Sequence, residues 1–235
     1  MIYADNAATT KLDEDALEKM RRCIEEYGNA SQPYSFAREP KKILKEARSV
    51  IAGCIGAKEN EIFFTSGGTE SDNWAVKGIM YVNGDHEGLV TSQVEHHAVL
   101  HSAAAIERMG YPVTYLPVDS ECIVSTAALK NVITDNTKLV SVMLSNNEVG
   151  TIQPIKELAS IAHANKALFH TDAVQAVGHI KIDIKELGVD MMSASAHKFN
   201  GPKGIGALIK KNTVKYGINS HDNLCNIDYT FTYFD

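Results

Sequence analysis

Residues 138–171 read KLVSVMLSNNEVGTIQPIKELASIAHANKALFHT. An apolar, β-prone run over Lys138–Ser145 gives way to an amphipathic helical stretch over Pro154–Asn165, and that to a second short apolar run over Ala167–Thr171. Strand, helix and strand in this order make a βαβ unit, which lays two strands parallel with the helix crossing over between them. The same alternation extends in both directions. Strands are expected at Glu61–Thr65, Gly88–Ser92, Val113–Val118, Asp190–Ser195 and Ile205–Ile209, with helices at Thr69–Val82, His97–Met109 and Ser125–Ile133. Two further helices, Asp13–Tyr27 and Pro40–Ile55, precede the first strand. The pattern predicts an α/β fold, a doubly wound and mostly parallel sheet.

Ligands of such sheets sit beyond the carboxyl ends of the strands, so three strand ends carry the functional reading. After Glu61–Thr65 comes Ser66-Gly67-Gly68-Thr69-Glu70-Ser71, a glycine turn into a helix. Its free backbone N–H groups and positive helix end suit an anion, with Thr69 as a cap or a phosphate donor; a plain tight turn explains the same residues. Ala167–Thr171 ends in Asp172, a carboxylate able to bind a metal, cap a helix or hold a protonated ring nitrogen. Asp190–Ser195 runs into Ser195-Ala196-His197-Lys198-Phe199-Asn200-Gly201. Desolvation at the end of a buried strand pushes a lysine toward its neutral, nucleophilic form, whereas a lysine beside a surface turn stays charged.

The order of the three sites narrows their reading. A phosphate turn, a strand-end aspartate and then a Ser-x-His-Lys are the parts a pyridoxal-phosphate enzyme needs: lysine for the aldehyde, aspartate for the pyridine nitrogen, a helix end for the phosphate.

Here the sequence resembles a known family, the cysteine desulfurases of the NifS/IscS type within the fold-type I, aspartate aminotransferase-like, class-V aminotransferase enzymes. The resemblance rests on Tyr3-Ala4-Asp5-Asn6-Ala7-Ala8-Thr9-Thr10, Tyr27-Gly28-Asn29-Ala30-Ser31, Thr65 to Asn73, Glu95-His96-His97-Ala98-Val99-Leu100, Ser145-Asn146-Asn147-Glu148-Val149-Gly150, Asp172-Ala173-Val174-Gln175 and Ser195-Ala196-His197-Lys198. It covers residues 1–211 in order. It implies pyridoxal 5'-phosphate as cofactor and L-cysteine as substrate, yielding L-alanine and a protein-bound persulfide. By position it implies Lys198, His96 and Asp172 as catalytic: Lys198 on the aldehyde, His96 stacked on the ring, Asp172 on the pyridine nitrogen. It implies that Gln175 and Asn147 bond the phenolate side of the cofactor or the incoming amino acid. Thr69, Ser195 and His197, with backbone N–H groups near Gly68, are implied to hold the phosphate. No metal is expected.

The sequence also departs from the family. Ala30, Tyr34 and Ala37 stand where the family usually has proline, histidine and glycine. Family members continue through a small C-terminal domain bearing a mobile-loop cysteine and a carboxylate-binding arginine. The expectation here is a cofactor-binding large domain over 1–211, a divergent tail over 212–235, and no such small domain. Cys225, the only cysteine after Lys198, sits in a context unlike the family's cysteine loop and is not expected to accept sulfur. Turnover by this chain is therefore not expected. Another class-V enzyme, a selenocysteine lyase or an aminotransferase, is the alternative, and a non-catalytic remnant the third reading.

Bulk properties agree with this class. The 235 residues are 44% hydrophobic and 22% charged with a net charge of −6, and no basic stripe offers itself to nucleic acid. No apolar stretch is long enough to span a bilayer, and the N-terminus has no targeting pattern, so a cytoplasmic location is expected. Cys23, Cys54, Cys122 and Cys225 are widely spaced, without a zinc or disulfide pattern. Cys23 and Cys54, in helix-like stretches, are expected to be buried thiols. The family implies a homodimer and a sulfur-acceptor or scaffold protein as partners, as in iron–sulfur cluster assembly.

Overall fold

The computed structural model describes residues 1–81 and 87–215; the reading of the tail from Tyr216 onward, Cys225 included, lies outside the described residues. The strands are β1 (Ile62–Thr65), β2 (Gly88–Ser92), β3 (Val113–Leu116), β4 (Thr137–Ser141), β5 (Leu168–Asp172), β6 (Met191–Ser195) and β7 (Gly206–Lys210). The helices are α1 (Glu14–Ile24), α2 (Arg38–Ile55), α3 (Gly68–Met80), α4 (His97–Arg108), α5 (Thr126–Val132), α6 (Ile155–Ala164) and α7 (Ile184–Leu187). All seven strands form one sheet in the order β1-β7-β6-β5-β4-β2-β3. The pairs among β3, β2, β4, β5 and β6 are parallel, while β7 runs antiparallel to both β6 and β1. The sheet is thus doubly wound and mostly parallel, with one reversed strand.

Strand alternation sends successive side chains to opposite faces. Val90, Val140, Phe169, Met192 and Ile209 pack on the face covered by α2, α5 and α6, where Ile55, Leu129, Ile155 and Leu158 meet them. Leu89, Leu139, Leu168, Met191 and Leu208 face the other way, toward α3 and α4, against Trp74, Ile79, Ala103 and Ile106. Burial on both faces explains why the strands read as apolar runs without a polar alternation.

Differences from the sequence reading have local causes. The run Lys138–Ser145 is a strand only to Ser141, although Val142 and Leu144 still donate to the β5 carbonyls of His170 and Asp172. α7 escapes a periodicity reading because it has four residues, bounded by the Asp183 cap and by Gly188 at φ 76°. Cys23 and Cys54 are exposed, not buried. α1 buries none of its residues, and α2 faces the core through Ala52 and Ile55 rather than Cys54. Among the described residues no helix is long and apolar enough to cross a membrane.

Candidate functional site

At the carboxyl ends of β5 and β6 the sheet opens into a cavity of about 290 Å³. Gly68, Thr69, His96, Asn147, Asp172, Gln175, Ser195, His197 and Lys198 all line it, so the structure brings together every site residue read from the sequence. Asp72, Met143, Val174 and Ala8 complete the wall.

One end is built by the turn from β1 into α3. Gly67 is the N-cap of α3 and Thr69 its second residue, so Thr69 is not a cap, and its side chain makes no capping bond. Gly68 must lack a side chain because a Cβ there would lie 2.7 Å from Val174 Cγ2. Gly206 of β7 is constrained likewise, since its Cβ would come 2.7 Å from the Gly67 Cα and the Ala194 carbonyl oxygen. These approaches bring the N-terminus of α3 beside Ser195 and His197. Thr9, Ser66, Lys203 and Gly204 widen the same end into an adjoining hollow. Backbone N–H groups, a threonine, a serine, an imidazole and a nearby lysine make a donor-rich cup, at whose edge the Glu70 carboxylate accepts from the Ser66 N–H.

The floor belongs to Asp172, the last residue of β5. It is 4% exposed, and its Oδ1 accepts from the Val174 N–H at 2.9 Å, a local turn rather than a helix cap. Burial raises its carboxyl above the usual range, while the Val174 N–H, His96 and Lys198 pull it back toward the ionised form. Above it, His96 caps α4 by accepting the Ala98 N–H at Nδ1 (3.1 Å), and burial holds its imidazole below the ordinary value. Asn147 sits in the loop after β4, a loop shaped by Asn146. The Asn146 Oδ1 accepts from the N–H groups of Glu148 and Val149, and its Nδ2 donates to the Val94 carbonyl across the gap to α4.

Lys198 lies in a single 3₁₀ turn straight after β6. Its ammonium donates to the carbonyls of Ala7 at 2.5 Å and Ala8 at 3.0 Å. Burial lowers its pKa, and Asp172 and Asp5 oppose that shift. The Gln175 Nε2 also donates to the Ala7 carbonyl at 3.0 Å. Thr9 and Thr10 reach His197, with Thr9 Oγ1 and His197 Nδ1 3.1 Å apart and Thr10 donating to the His197 carbonyl from both its N–H and its hydroxyl. The N-terminal segment is therefore laced across the mouth of the cavity. Burial, with Lys198 and Lys203 nearby, keeps the His197 imidazole below its ordinary value.

Beneath the cavity lies a buried polar layer whose role the sequence did not show. Asp72 of α3 is 1% exposed, and burial, then the charge of Asp172, holds its carboxyl well above the usual range. Glu95 is 5% exposed and pushed up to about 8 by burial, although Ser92 and the Met143 N–H donate to its Oε1. His170 is fully buried between Ser141 and Ser193, at 2.9 and 3.0 Å, and burial pulls it down to about 3. Only the appearance of polar residues inside otherwise apolar strands and on a core helix could have signalled this layer. Its meaning depends on contacts between segments far apart in sequence.

The chemistry of the donor set fits pyridoxal phosphate. An amine with lowered basicity, a buried carboxylate, an imidazole beside it and an anion cup share one cavity of a size suited to a small cofactor. Oxygens of Asp72 and Asp172 and a His96 nitrogen lie within 4.8 Å of one another, a spacing a cation could also use. We assign no metal to them, because burial raises both carboxyls toward their neutral forms and the His96 Nδ1 already accepts the Ala98 N–H.

Comparison with known proteins agrees with this chemistry. The profile of the class-V aminotransferases matches residues 2–221. A protein of Clostridium botulinum (strain Hall) named cysteine desulfurase IscS is 52% identical over 218 residues, covering 91% of this chain and 54% of its own length. A solved NifS-like protein superposes with a TM-score of 0.88 at 38% identity, covering 92% of this chain and 60% of that one. A structure described as SspA in complex with cysteine gives a TM-score of 0.87 at 36% identity, covering 90% and 62%. The chain spans about half the length of the curated relatives it matches.

Proposed function

The chain belongs to the class-V aminotransferase family, and from that membership and the cavity we propose that it binds pyridoxal 5'-phosphate and serves the desulfuration of L-cysteine to L-alanine. The observation that carries this reading is the meeting of Lys198, Asp172 and the α3 N-terminus in one cavity. Relatives named cysteine desulfurase and a related structure holding cysteine support the choice of substrate.

When bound, the cofactor supplies an aldehyde that captures amines and a ring that withdraws electrons from the captured amino acid. The residues of the chain do the rest. Lys198, with its basicity lowered by burial, offers an amine lone pair to that aldehyde and later carries a proton at Nζ. To do so it must release the Ala7 and Ala8 carbonyls. Asp172 presents a negative charge to a protonated ring nitrogen. His96, just past the end of β2 at the cavity wall, would contact the ring and help exclude water. Thr69, Ser195, His197 and the N–H groups after Gly67 hold the phosphate, and the positive end of α3 adds to their attraction. Gln175 and Asn147 place amide donors near the phenolate oxygen and the incoming amino acid.

Among the described residues no arginine and no cysteine lines the cavity. In this proposal the substrate carboxylate and the accepting thiol are met by groups outside that lining. A homodimer is part of the proposal, supported by the exposed apolar side chains of Ile2, Ile24, Tyr27 and Phe36. So are a sulfur-acceptor or scaffold partner, as in iron–sulfur cluster assembly, and a cytoplasmic location, which the unpaired cysteine spacing supports.

The test begins with purified protein and pyridoxal phosphate. A visible absorbance band should form, and borohydride should bleach it while fixing the label on Lys198. L-cysteine should then change the band, and L-alanine formed in repeated turnover would overturn the expectation that this chain does not sustain the reaction by itself. A keto acid formed instead would move the chain to the aminotransferases. A band indifferent to cysteine would leave a cofactor binder without this substrate.

A further inference from the structure

Two buried carboxyl groups meet beneath the cavity. Asp72 projects from α3 and Asp172 ends β5; both are almost wholly buried, and an oxygen of each lies within 4.8 Å of the other. Two ionised carboxylates this close in a desolvated layer repel and have acceptors only, so the pair is best accommodated when one keeps its proton and offers it to the other. Their surroundings differ. Asp172 receives the Val174 N–H at 2.9 Å and faces Lys198 and His96, all of which favour its charge. Asp72 has no cation against it: its Oδ1 lies 3.7 Å from a fully buried His170 that burial keeps neutral, and this oxygen has no hydrogen-bond partner. Ser193 favours its charge only modestly, and Glu95 lies near enough to disfavour that charge further.

Resting on the cofactor reading above, we propose that Asp72 is a positioning residue for pyridoxal phosphate: a neutral carboxylic acid that donates its proton to Asp172, fixing the orientation of that carboxylate and confining one negative charge to the place where the ring nitrogen binds. Full ionisation of both groups would put two charges side by side in a desolvated layer, each opposing the other. A single charge matches the single charge of a protonated pyridine. Asp72 reaches the cofactor only through Asp172, and its task is to stop that carboxylate from turning away or taking up the proton itself. His170, held between Ser141 and Ser193, props the far side of Asp72 and cannot compete as a proton source while neutral.

An amide copies a neutral acid in shape and in its ability to donate, which separates the proposal from a packing role. Asp72→Asn should bind pyridoxal phosphate within about twofold of the unaltered protein, with the same absorbance band. Asp72→Ala should bind at least about tenfold more weakly, the size expected when a hydrogen bond to a charged group is lost, and its band should shift. Infrared spectroscopy of the cofactor-free protein at neutral pH should show protonated-carboxyl absorption that Asp72→Asn diminishes. The remainder belongs to Glu95 and disappears in Glu95→Gln. Asp72→Asn binding as poorly as Asp72→Ala, Asp72→Ala binding normally, or an infrared band untouched by Asp72→Asn would each overturn the proposal. If Asp72→Ala does not fold, the isosteric variant and the infrared band decide alone. If the unaltered protein binds no pyridoxal phosphate, the cofactor reading fails, while the infrared measurement still reports the shared proton.

Discussion

The two faces of the sheet are made by the same strands and differ sharply in what they bury. On the α2, α5 and α6 side the inward residues are mostly apolar, as in Val140, Phe169 and Met192, with the hydroxyls of Ser92 and Thr171 at the ends of β2 and β5. On the α3 and α4 side β4, β5 and β6 pass from apolar to polar toward their carboxyl ends: Leu139 then Ser141, Leu168 then His170 and Asp172, Met191 then Ser193 and Ser195. One face follows the rule for a stable core, whereas the other buries groups whose desolvation costs free energy. The difference teaches where stability and function separate: the apolar face holds the fold, and the polar ends on the other face exist for the site.

Four substitutions can break or sharpen that contrast. Lys198→Ala should abolish covalent capture of pyridoxal phosphate while leaving the protein folded, as read by loss of the visible band with an unchanged far-ultraviolet spectrum. A borohydride-fixed label on Lys203 or Lys210 would remove Lys198 from its place. Phe169→Ala, on the apolar face, should cost about 3–5 kcal/mol of stability in denaturant unfolding and leave cofactor affinity nearly unchanged below the transition. If affinity falls with it, the faces are not separable. Asp172→Ala should do the reverse, weakening cofactor affinity by about 1.5–3 kcal/mol, the worth of a charged hydrogen bond, and altering the band without collapse of the fold. Clear unfolding with a normal band would assign Asp172 a purely structural role.

A fourth substitution concerns Glu95 and pH. Its folded-state value of about 8 lies above the ordinary 4.5, so folding favours its protonated form. That contribution is fully present below 4.5 and is lost as the pH rises from there through about 8. Glu95→Gln carries no such proton. Between pH 5 and pH 8 the melting temperature of the unaltered protein should therefore fall relative to that of Glu95→Gln. Parallel melting curves across this range would show that Glu95 is not held neutral.

Much of this was legible because strand ends in a doubly wound sheet are where sites form. Asp172, Ser195 and Lys198 could be singled out from the runs that precede them, and all nine site residues share one cavity. The reversed direction of β7 was hidden, since a strand of Gly-Ala-Leu-Ile-Lys reads alike in either sense and only its pairing with β6 and β1 decides. Exposure of Cys23 was hidden too, because an amphipathic α1 suggests a core that the described residues do not provide for it. Asp72, Glu95 and His170 lie in three separate segments. Each alone passes for a helix or strand residue, and they become one layer only when α3 crosses β4, β5 and β6.

The lacing of Ala7 and Ala8 onto Lys198, across a separation of 191 and 190 residues, has a consequence for the history of the molecule. Contacts so distant in sequence carry a large loop-closure entropy and form late unless a nucleus brings them together. During synthesis the first ten residues must wait for the segment after β6 to emerge before the mouth of the cavity can exist. Helices and the central βαβ unit, built from nearer neighbours, need no such delay. Cofactor capture by a nascent chain would thus report that synthesis has passed Lys198, making the prosthetic group a timestamp of assembly.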